Sequence, residues 1–179
     1  MEYLMTYGWA ILIIAIVLAS LFYLGIFRTG QGTSCNANAG LLCQNPVLNA
    51  SGLLSINIGQ GITQNMYNVG IACAASSSGS TNLPKPSTAF EYVPAAGGLV
   101  YTTYNAVSPS NQLALSSGSV VQAKGVTCYG TGGTALGTIP IGTPFAGSLW
   151  INYTSGAGAE GASNPWLTLQ LATLSVSAV

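Results

Sequence analysis

Few side chains in this 179-residue chain could carry acid–base or metal chemistry. There is no Asp and no His, and the charged residues are Glu2, Arg28, Lys85, Glu91, Lys124 and Glu160. General acid–base catalysis and metal binding draw mainly on His, Asp, Glu and Cys. Beyond residue 28 only Glu91 and Glu160 remain as carboxylates, and they lie far apart in sequence. We therefore predict that the protein is not an enzyme, with no catalytic residue, no cofactor and no metal site.

The low charge also limits the classes of partner. Charged residues make up 3% of the chain, against about a quarter in ordinary soluble domains. Nucleic acid is not a predicted partner, because phosphate binding needs clustered Lys and Arg. Disorder is not predicted either, since disordered chains combine high charge with low hydrophobicity and this chain is 49% hydrophobic.

Four cysteines are typical of a disulfide framework. The pairing that follows chain order, Cys35–Cys43 with Cys73–Cys128, is one of three possible. The loop-entropy model gives about 2.5 kcal/mol for the short loop and about 4 kcal/mol for the long one. Zinc is disfavoured because the C-x2-C spacing and His partners are missing. Disulfides predict an oxidising location or a thermophile.

The chain begins with "MEYLMTYGWAILIIAIVLASLFYLGIFRTG", in which no residue from Tyr3 to Phe27 is charged. As a helix, residues 1–27 would extend about 40 Å, enough to cross a bilayer. Arg28 suits a helix C-terminus, and the glycines that follow favour its end. A cleaved signal peptide is disfavoured because the N-terminus is acidic and the apolar run is long. A membrane anchor and a helix that packs against copies of itself remain.

Glu2 favours the second of these two interpretations. In a bundle of copies, its carboxylate can neutralise the α-amino group of a neighbouring subunit's first residue. Such a pair would fix the axial register, because a buried charge without its partner is costly.

Glu2 and the apolar run starting "MEYLMTYGWAILIIAIV" resemble the N-terminal helix of type IV pilin-like proteins, particularly archaeal pilins and archaellin-like subunits. The resemblance covers about the first 28 residues. It implies a prepilin peptidase, which removes a short leader, and a pilus assembly machinery as partners. It also implies that the helix surface drives assembly, with these candidate residues: Met1, Glu2, Tyr3, Tyr7, Trp9, Ile13, Ile16, Val17, Leu21 and Leu24.

The rest of the chain predicts an all-β domain. Residues 29–52 are interpreted as a loop-rich connector tied by Cys35–Cys43, and 53–179 as the outer domain. No helical period occurs after residue 28, and β-rich runs alternate with Gly, Pro, Asn and Ser. The fold class is therefore α+β, with one hydrophobic helix (1–28) before an immunoglobulin-like β-sandwich. The predicted strands are 53–59, 66–75, 89–95, 99–107, 113–118, 120–130, 147–154 and 166–179.

Several local features have simple interpretations. The Gly-rich segment "YGTGGTALG" (129–137) lacks the Lys of a phosphate-binding loop and predicts a turn. Trp150 and Trp166 are interpreted as core or interface residues. Two N-x-[ST] sequons, "NAS" at Asn49 and "NYT" at Asn152, predict glycosylation, which would hydrate a surface with little charge.

Together these features predict the major structural subunit of an extracellular type IV pilus-like filament, a helical homopolymer used for adhesion or cell-surface contact. Its precursor would be inserted in the membrane. The alternatives are a membrane-anchored monomeric β-sandwich that acts as a binding or adhesion module, and a minor pilin.

Overall fold

The computed structural model describes residues 2–23, 32–75, 90–104, 107–156 and 165–179, with side chains in the helix from residue 7 onward. The chain divides into two compact units, Met1–Gly30 and Gln31–Val179. The second unit is called the β-domain below.

The first unit contains one helix, α1, which spans Glu2–Tyr23. Leu, Ile and Ala, which dominate its sequence, suit a helix, and its one late polar residue, Ser20, donates its hydroxyl to the Val17 carbonyl at 2.7 Å. The helix is predicted to span 1–28, and residues 24–31 lie outside the described part of the chain.

A membrane-crossing segment is predicted over residues 1–27. Among the described residues, no helix has the length and apolar character to cross a membrane.

Among its described residues, the β-domain contains ten strands. They are β1 Ser34–Ala37, β2 Leu41–Leu48, β3 Leu53–Gln60, β4 Met66–Ala75, β5 Glu91–Tyr92, β6 Gly98–Leu99, β7 Ala114–Leu115, β8 Val120–Tyr129, β9 Pro144–Thr154 and β10 Trp166–Ser177. An N-terminal helix followed by a mostly-β domain is thus confirmed. Of the predicted strands 89–95 and 99–107, only Glu91–Tyr92 in β5 and Leu99 in β6 lie in strands among the described residues. Ala89 and residues 105–106 lie outside the described residues.

The strands form one sheet in the order β1-β10-β9-β4-β8-β3-β2, with β5 and β7 paired to β4 and β6 paired to β8. The sheet curls into a nearly closed barrel. Leu48 at the end of β2 bridges Ala178, and the Val179 amide donates to the Leu48 carbonyl at 2.9 Å. The first and last strands of the order, β1 and β2, therefore lie on either side of the remaining gap.

A two-sheet, immunoglobulin-like sandwich is predicted, and the structure differs from it. Strands β4 and β8 run parallel and pair directly at Cys73–Cys128 and Ala74–Tyr129. This short ladder joins what would be two sheets into one. Since the pairing is between strands far apart in sequence, alternation along each strand does not reveal it.

The segment predicted as a connector, 29–52, contributes β1 and β2 to the sheet. Pro46 lies inside β2, and a proline disfavours a strand because it cannot donate to the ladder. The register of β2 on β3 shifts between Gln44 and Val47, and Asn45 has φ 49°. This bulge accommodates the proline and lets the strand continue.

The core fills the inside of the curled sheet. Its buried side chains alternate along most of β3 and β9, as expected for strands with one face inward, whereas β4 is buried on both faces. The largest of them are Leu48, Leu54, Ile56, Ile58, Met66, Ile71, Leu115, Leu149, Ile151 and Leu171.

An aromatic layer covers the outside of the sheet over β4, β9 and β10. The rings of Tyr92, Tyr104 and Trp166 pack edge-on or tilted, with centroids 5.3–5.8 Å apart. The Tyr92 ring lies over Gly70, where an added Cβ would be 3.0 Å from Cε1. The absence of a side chain at Gly70 is therefore what lets the ring lie against the sheet.

Candidate functional site

Residues 7–23 of α1, whose side chains are described, form an exposed apolar surface. Its large hydrophobic side chains are exposed on every side of the helix, so no stripe is buried. They are Tyr7, Trp9, Ile11, Leu12, Ile13, Ile14, Ile16, Val17, Leu18, Phe22 and Tyr23. Exposed apolar patches of this kind mark contact sites for protein or lipid. This set is called the helix surface below.

The predicted assembly residues fall partly on this surface. Tyr7, Trp9, Ile13, Ile16 and Val17 are exposed on α1, and Leu21 is half-buried. Glu2 and Tyr3 lie in the first turn of α1, and their side chains are outside the described part of the structure. Met1 and Leu24 lie outside the described residues altogether. The contact between Glu2 and a neighbour's amino group stays a prediction.

Both disulfides form in the pairing that follows chain order, which confirms it. Cys73–Cys128 is fully buried and joins β4 to β8 at the parallel ladder, with Cα atoms 4.6 Å apart. Cys35–Cys43 joins β1 to β2 with Cα atoms 5.9 Å apart and so crosses the gap in the sheet. The sequence indicates the two bonds, but only the strand order reveals that one of them crosses the gap.

Glu91 is the described carboxylate of the β-domain, and it is 5% exposed. Its Oε2 accepts a hydrogen bond from the Thr127 amide at 2.6 Å, and its Oε1 accepts one from the Thr127 hydroxyl at 2.8 Å. Burial raises the pKa of the carboxyl, and both hydrogen bonds from Thr127 oppose that rise. Thr127 is 36 residues away in sequence, and no sequence pattern indicates this contact.

The geometry around Glu91 gives it a structural role. The carboxylate is bonded to Thr127 on β8 and lies on β5, so it ties a two-residue strand to the main sheet. Glu160, the other carboxylate considered, lies outside the described residues. Within the described ranges, no group of three or more His, Cys, Asp or Glu side chains is placed to hold a metal ion.

The two sequons lie in different surroundings. Asn49 is exposed at the turn between β2 and β3, where its Oδ1 accepts hydrogen bonds from the Ser51 and Leu53 amides at 3.0 and 2.9 Å. Asn152 lies near the C-terminal end of β9, paired with Gly70 on one side and Thr168 on the other. Its Oδ1 is buried and finds no hydrogen-bond partner among the described residues.

Residues 129–137 form a turn in which the Gly130 amide donates to the Thr134 carbonyl at 2.8 Å. Trp166 belongs to the aromatic layer. Trp150 packs with Ala72 and Phe90 on the same outer face, and its Nε1 is buried without a hydrogen-bond partner among the described residues.

The helix surface and the disulfide-bonded β-domain are the two features that bear on function. The disulfides favour an extracellular or otherwise oxidising location. The chain matches no protein-family model, no curated protein and no solved structure.

Proposed function

We propose that this chain is the repeating subunit of an extracellular, type IV pilus-like filament that polymerises through α1. The helix surface is the observation that carries the proposal. Exposing Ile, Leu, Phe and Trp side chains to water on every face of a helix is energetically unfavourable. Several copies of the same helix would bury all of its faces at once, whereas a single flat protein partner would bury only one.

The energetics of such a bundle are favourable. Burying 1,000 Å² of apolar surface per subunit contributes about 25 kcal/mol before costs. Loss of translational, rotational and side-chain freedom offsets much of this. The surplus would still hold a long polymer together, because each subunit contacts several neighbours.

The β-domain would form the outer layer of the filament. Two disulfides and a nearly closed sheet suit a domain that stays folded outside the cell. Its surface would provide the adhesive or contact function, and glycans would hydrate it. The resemblance of the first 28 residues to type IV pilin-like proteins adds four elements to this proposal. These are the pairing of Glu2 with a neighbouring N-terminus, a membrane-inserted precursor, a prepilin peptidase and an assembly machinery.

Detergent extraction with sedimentation tests this proposal. A filament resists mild detergent and sediments at high speed, so the chain should be found in the pellet. A membrane-anchored monomer would dissolve and stay in the supernatant, which would refute the proposal. A minor pilin would sediment only as a trace component of fibres built from another chain, so its copy number per fibre length identifies it.

A further inference from the structure

The two disulfides differ sharply in access to solvent. Cys73 and Cys128 are each 0% exposed. Cys35 is half-buried on β1, and Cys43, at 8% exposed, is its partner on β2. Thiol–disulfide exchange needs a thiolate to reach one sulfur in line with the bond, so access controls its rate. A reductant in solution therefore reaches Cys35 far more readily than the buried pair.

Strand β1 has little else to hold it in place. It is four residues long, and its other three side chains are exposed. Its ladder pairs it with β10 from Ser34–Ser175 to Ala37–Ala172. On its other side it faces the gap in the sheet, across which the disulfide reaches β2. A short strand that buries almost no apolar surface is marginal without a covalent constraint.

The next residue in the chain is anchored more firmly. The Asn38 amide donates to the Leu171 carbonyl at 2.9 Å, and its Nδ2 donates to the Gln170 carbonyl at 2.7 Å. The Leu41 amide then donates back to the Asn38 carbonyl at 3.0 Å. If β1 separates from β10, the separation therefore stops at Asn38.

We propose that Cys35–Cys43 is a redox-sensitive latch that holds β1 on the edge of the β-domain. With the bond intact, β1 stays paired with β10 from Ser34 to Ala37. With the bond opened, residues 34–37 separate from β10, which releases a segment that extends up to about 14 Å at 3.3–3.6 Å per residue. The rest of the sheet stays closed through the Leu48–Ala178 bridge and the buried disulfide.

The reductant that opens the latch is a dithiol. One thiolate attacks Sγ of Cys35, forms a mixed disulfide and displaces Cys43 as a thiolate. The second thiol of the reagent then attacks its own sulfur in the mixed disulfide, closes a reagent disulfide and displaces Cys35. Two electrons and two protons pass from the dithiol to the two cysteines. The latch is independent of polymerisation, so its failure leaves the filament proposal standing, and the reverse also holds.

The test uses the full chain with both disulfides formed, in detergent micelles. Dithiothreitol is added for increasing times, free thiols are trapped with N-ethylmaleimide, and labelled cysteines are mapped by mass spectrometry. Cys35 and Cys43 should be labelled about 100-fold faster than Cys73 and Cys128, because attack on the buried bond waits for a rare opening. Equal labelling rates for the two pairs would overturn the proposal.

Hydrogen exchange on the same samples shows whether β1 separates. Once Cys35 and Cys43 are labelled, the amides of residues 34–37 and 172–175 that bond across the β1–β10 ladder should lose protection, while those of β3 and β8 and those of β10 that bond to β9 keep theirs. The double variant Cys35→Ser/Cys43→Ser should show the same pattern without reductant, with the oxidised wild-type chain as its control. Unchanged protection of residues 34–37 in both samples would overturn the latch. If the variant does not fold, hydrogen exchange on the reduced wild-type chain alone tests whether β1 separates.

Discussion

At the residue scale, the two sequons should differ in glycan occupancy. At Asn49 the carbonyl oxygen is held by two backbone amides, which leaves Nδ2 facing solvent. At Asn152 the side chain is enclosed in a central strand, and Thr154 of the same sequon is fully buried. We expect glycan on Asn49 and none on Asn152 in glycopeptide mass spectra of the native protein.

Two variants at Ser51 control this experiment. Ser51→Ala destroys the sequon and should remove the glycan, whereas Ser51→Thr preserves the sequon and should keep it. An occupied Asn152 would contradict the expectation, because it would require this part of β9 to be open during modification.

Glu91 should make the folded chain more stable in acid than at neutral pH. Burial raises the pKa of this carboxyl in the folded state above its ordinary value of 4.5. A group of this kind contributes its full stability below the unfolded pKa, and that contribution is lost as pH rises through the folded pKa. The free energy of unfolding should therefore rise as pH falls from 7 towards about 4.

Glu91→Gln is the matched variant for this prediction. The amide keeps the shape and can still accept from the Thr127 amide, but it does not ionise. Urea denaturation between pH 4 and 7 should show a flatter dependence than for the wild-type chain. An equally steep dependence in the variant would assign the effect to another group.

Some of the residue-level findings could be predicted from sequence and others could not. The presence of disulfides and the sequons follow from residue type and spacing, whereas the choice among the three possible pairings comes from the structure. The Glu91–Thr127 contact depends on strands distant in sequence, and the enclosure of Asn152 depends on which strands flank β9. Neither leaves a local pattern.

At the scale of elements, Gly70 should be needed for the aromatic layer. A Cβ at this position would lie 3.0 and 3.2 Å from two atoms of the Tyr92 ring, which would force the ring away from the sheet. Gly70→Ala should cost about 1–3 kcal/mol of stability, as overpacked sites do. Gly132→Ala is the control, since nothing lies within 4 Å of its added Cβ, and it should change stability by less than about 0.5 kcal/mol.

Urea midpoints of the two glycine variants, with unchanged m-values, measure the difference. Equal midpoints would mean that Tyr92 moves at no cost and that the layer does not stabilise the sheet.

The helix surface should be sensitive to a single charge. Ile14 on α1 is 58% exposed in the subunit, yet it would be buried among neighbouring helices in a filament. Ile14→Lys should lower filament yield about tenfold or more, since every 1.4 kcal/mol changes an association constant tenfold and an unpaired buried Lys costs more than that. The readout is the amount of sedimentable chain.

The matched control places the same substitution on the β-domain. Ile141 is 78% exposed in a turn, so Ile141→Lys should leave sedimentation unchanged. Equal yields for the two variants would exclude the helix surface as the assembly surface.

The elements themselves were predictable to different degrees. Residues 53–59 alternate clearly and form β3, and the β-rich run 66–75 forms β4. Strand β2 was not predicted, because Pro46 conceals a strand that continues through a bulge. Short strands such as β5 form only where a neighbouring strand, here β4, provides backbone hydrogen bonds.

At the scale of the whole molecule, the order of the strands is what the sequence could not provide. The sheet closes because the C-terminal Val179 reaches the end of β2, and because β4 and β8 pair in parallel. Both contacts join segments far apart in the chain, and short strands with similar patterns can be paired in many ways. The presence of one apolar helix before an all-β domain, in contrast, follows directly from hydrophobic patterning.

The central claim is that this chain builds a filament through α1. Negative-stain electron microscopy of material sheared from the cell surface, with mass spectrometry of the purified fibres, tests it most directly. We predict fibres made mainly of this chain, with N-terminal peptides that show where the mature chain begins. Sheared material without such fibres, with the intact chain left in the detergent-soluble membrane fraction, would contradict the claim.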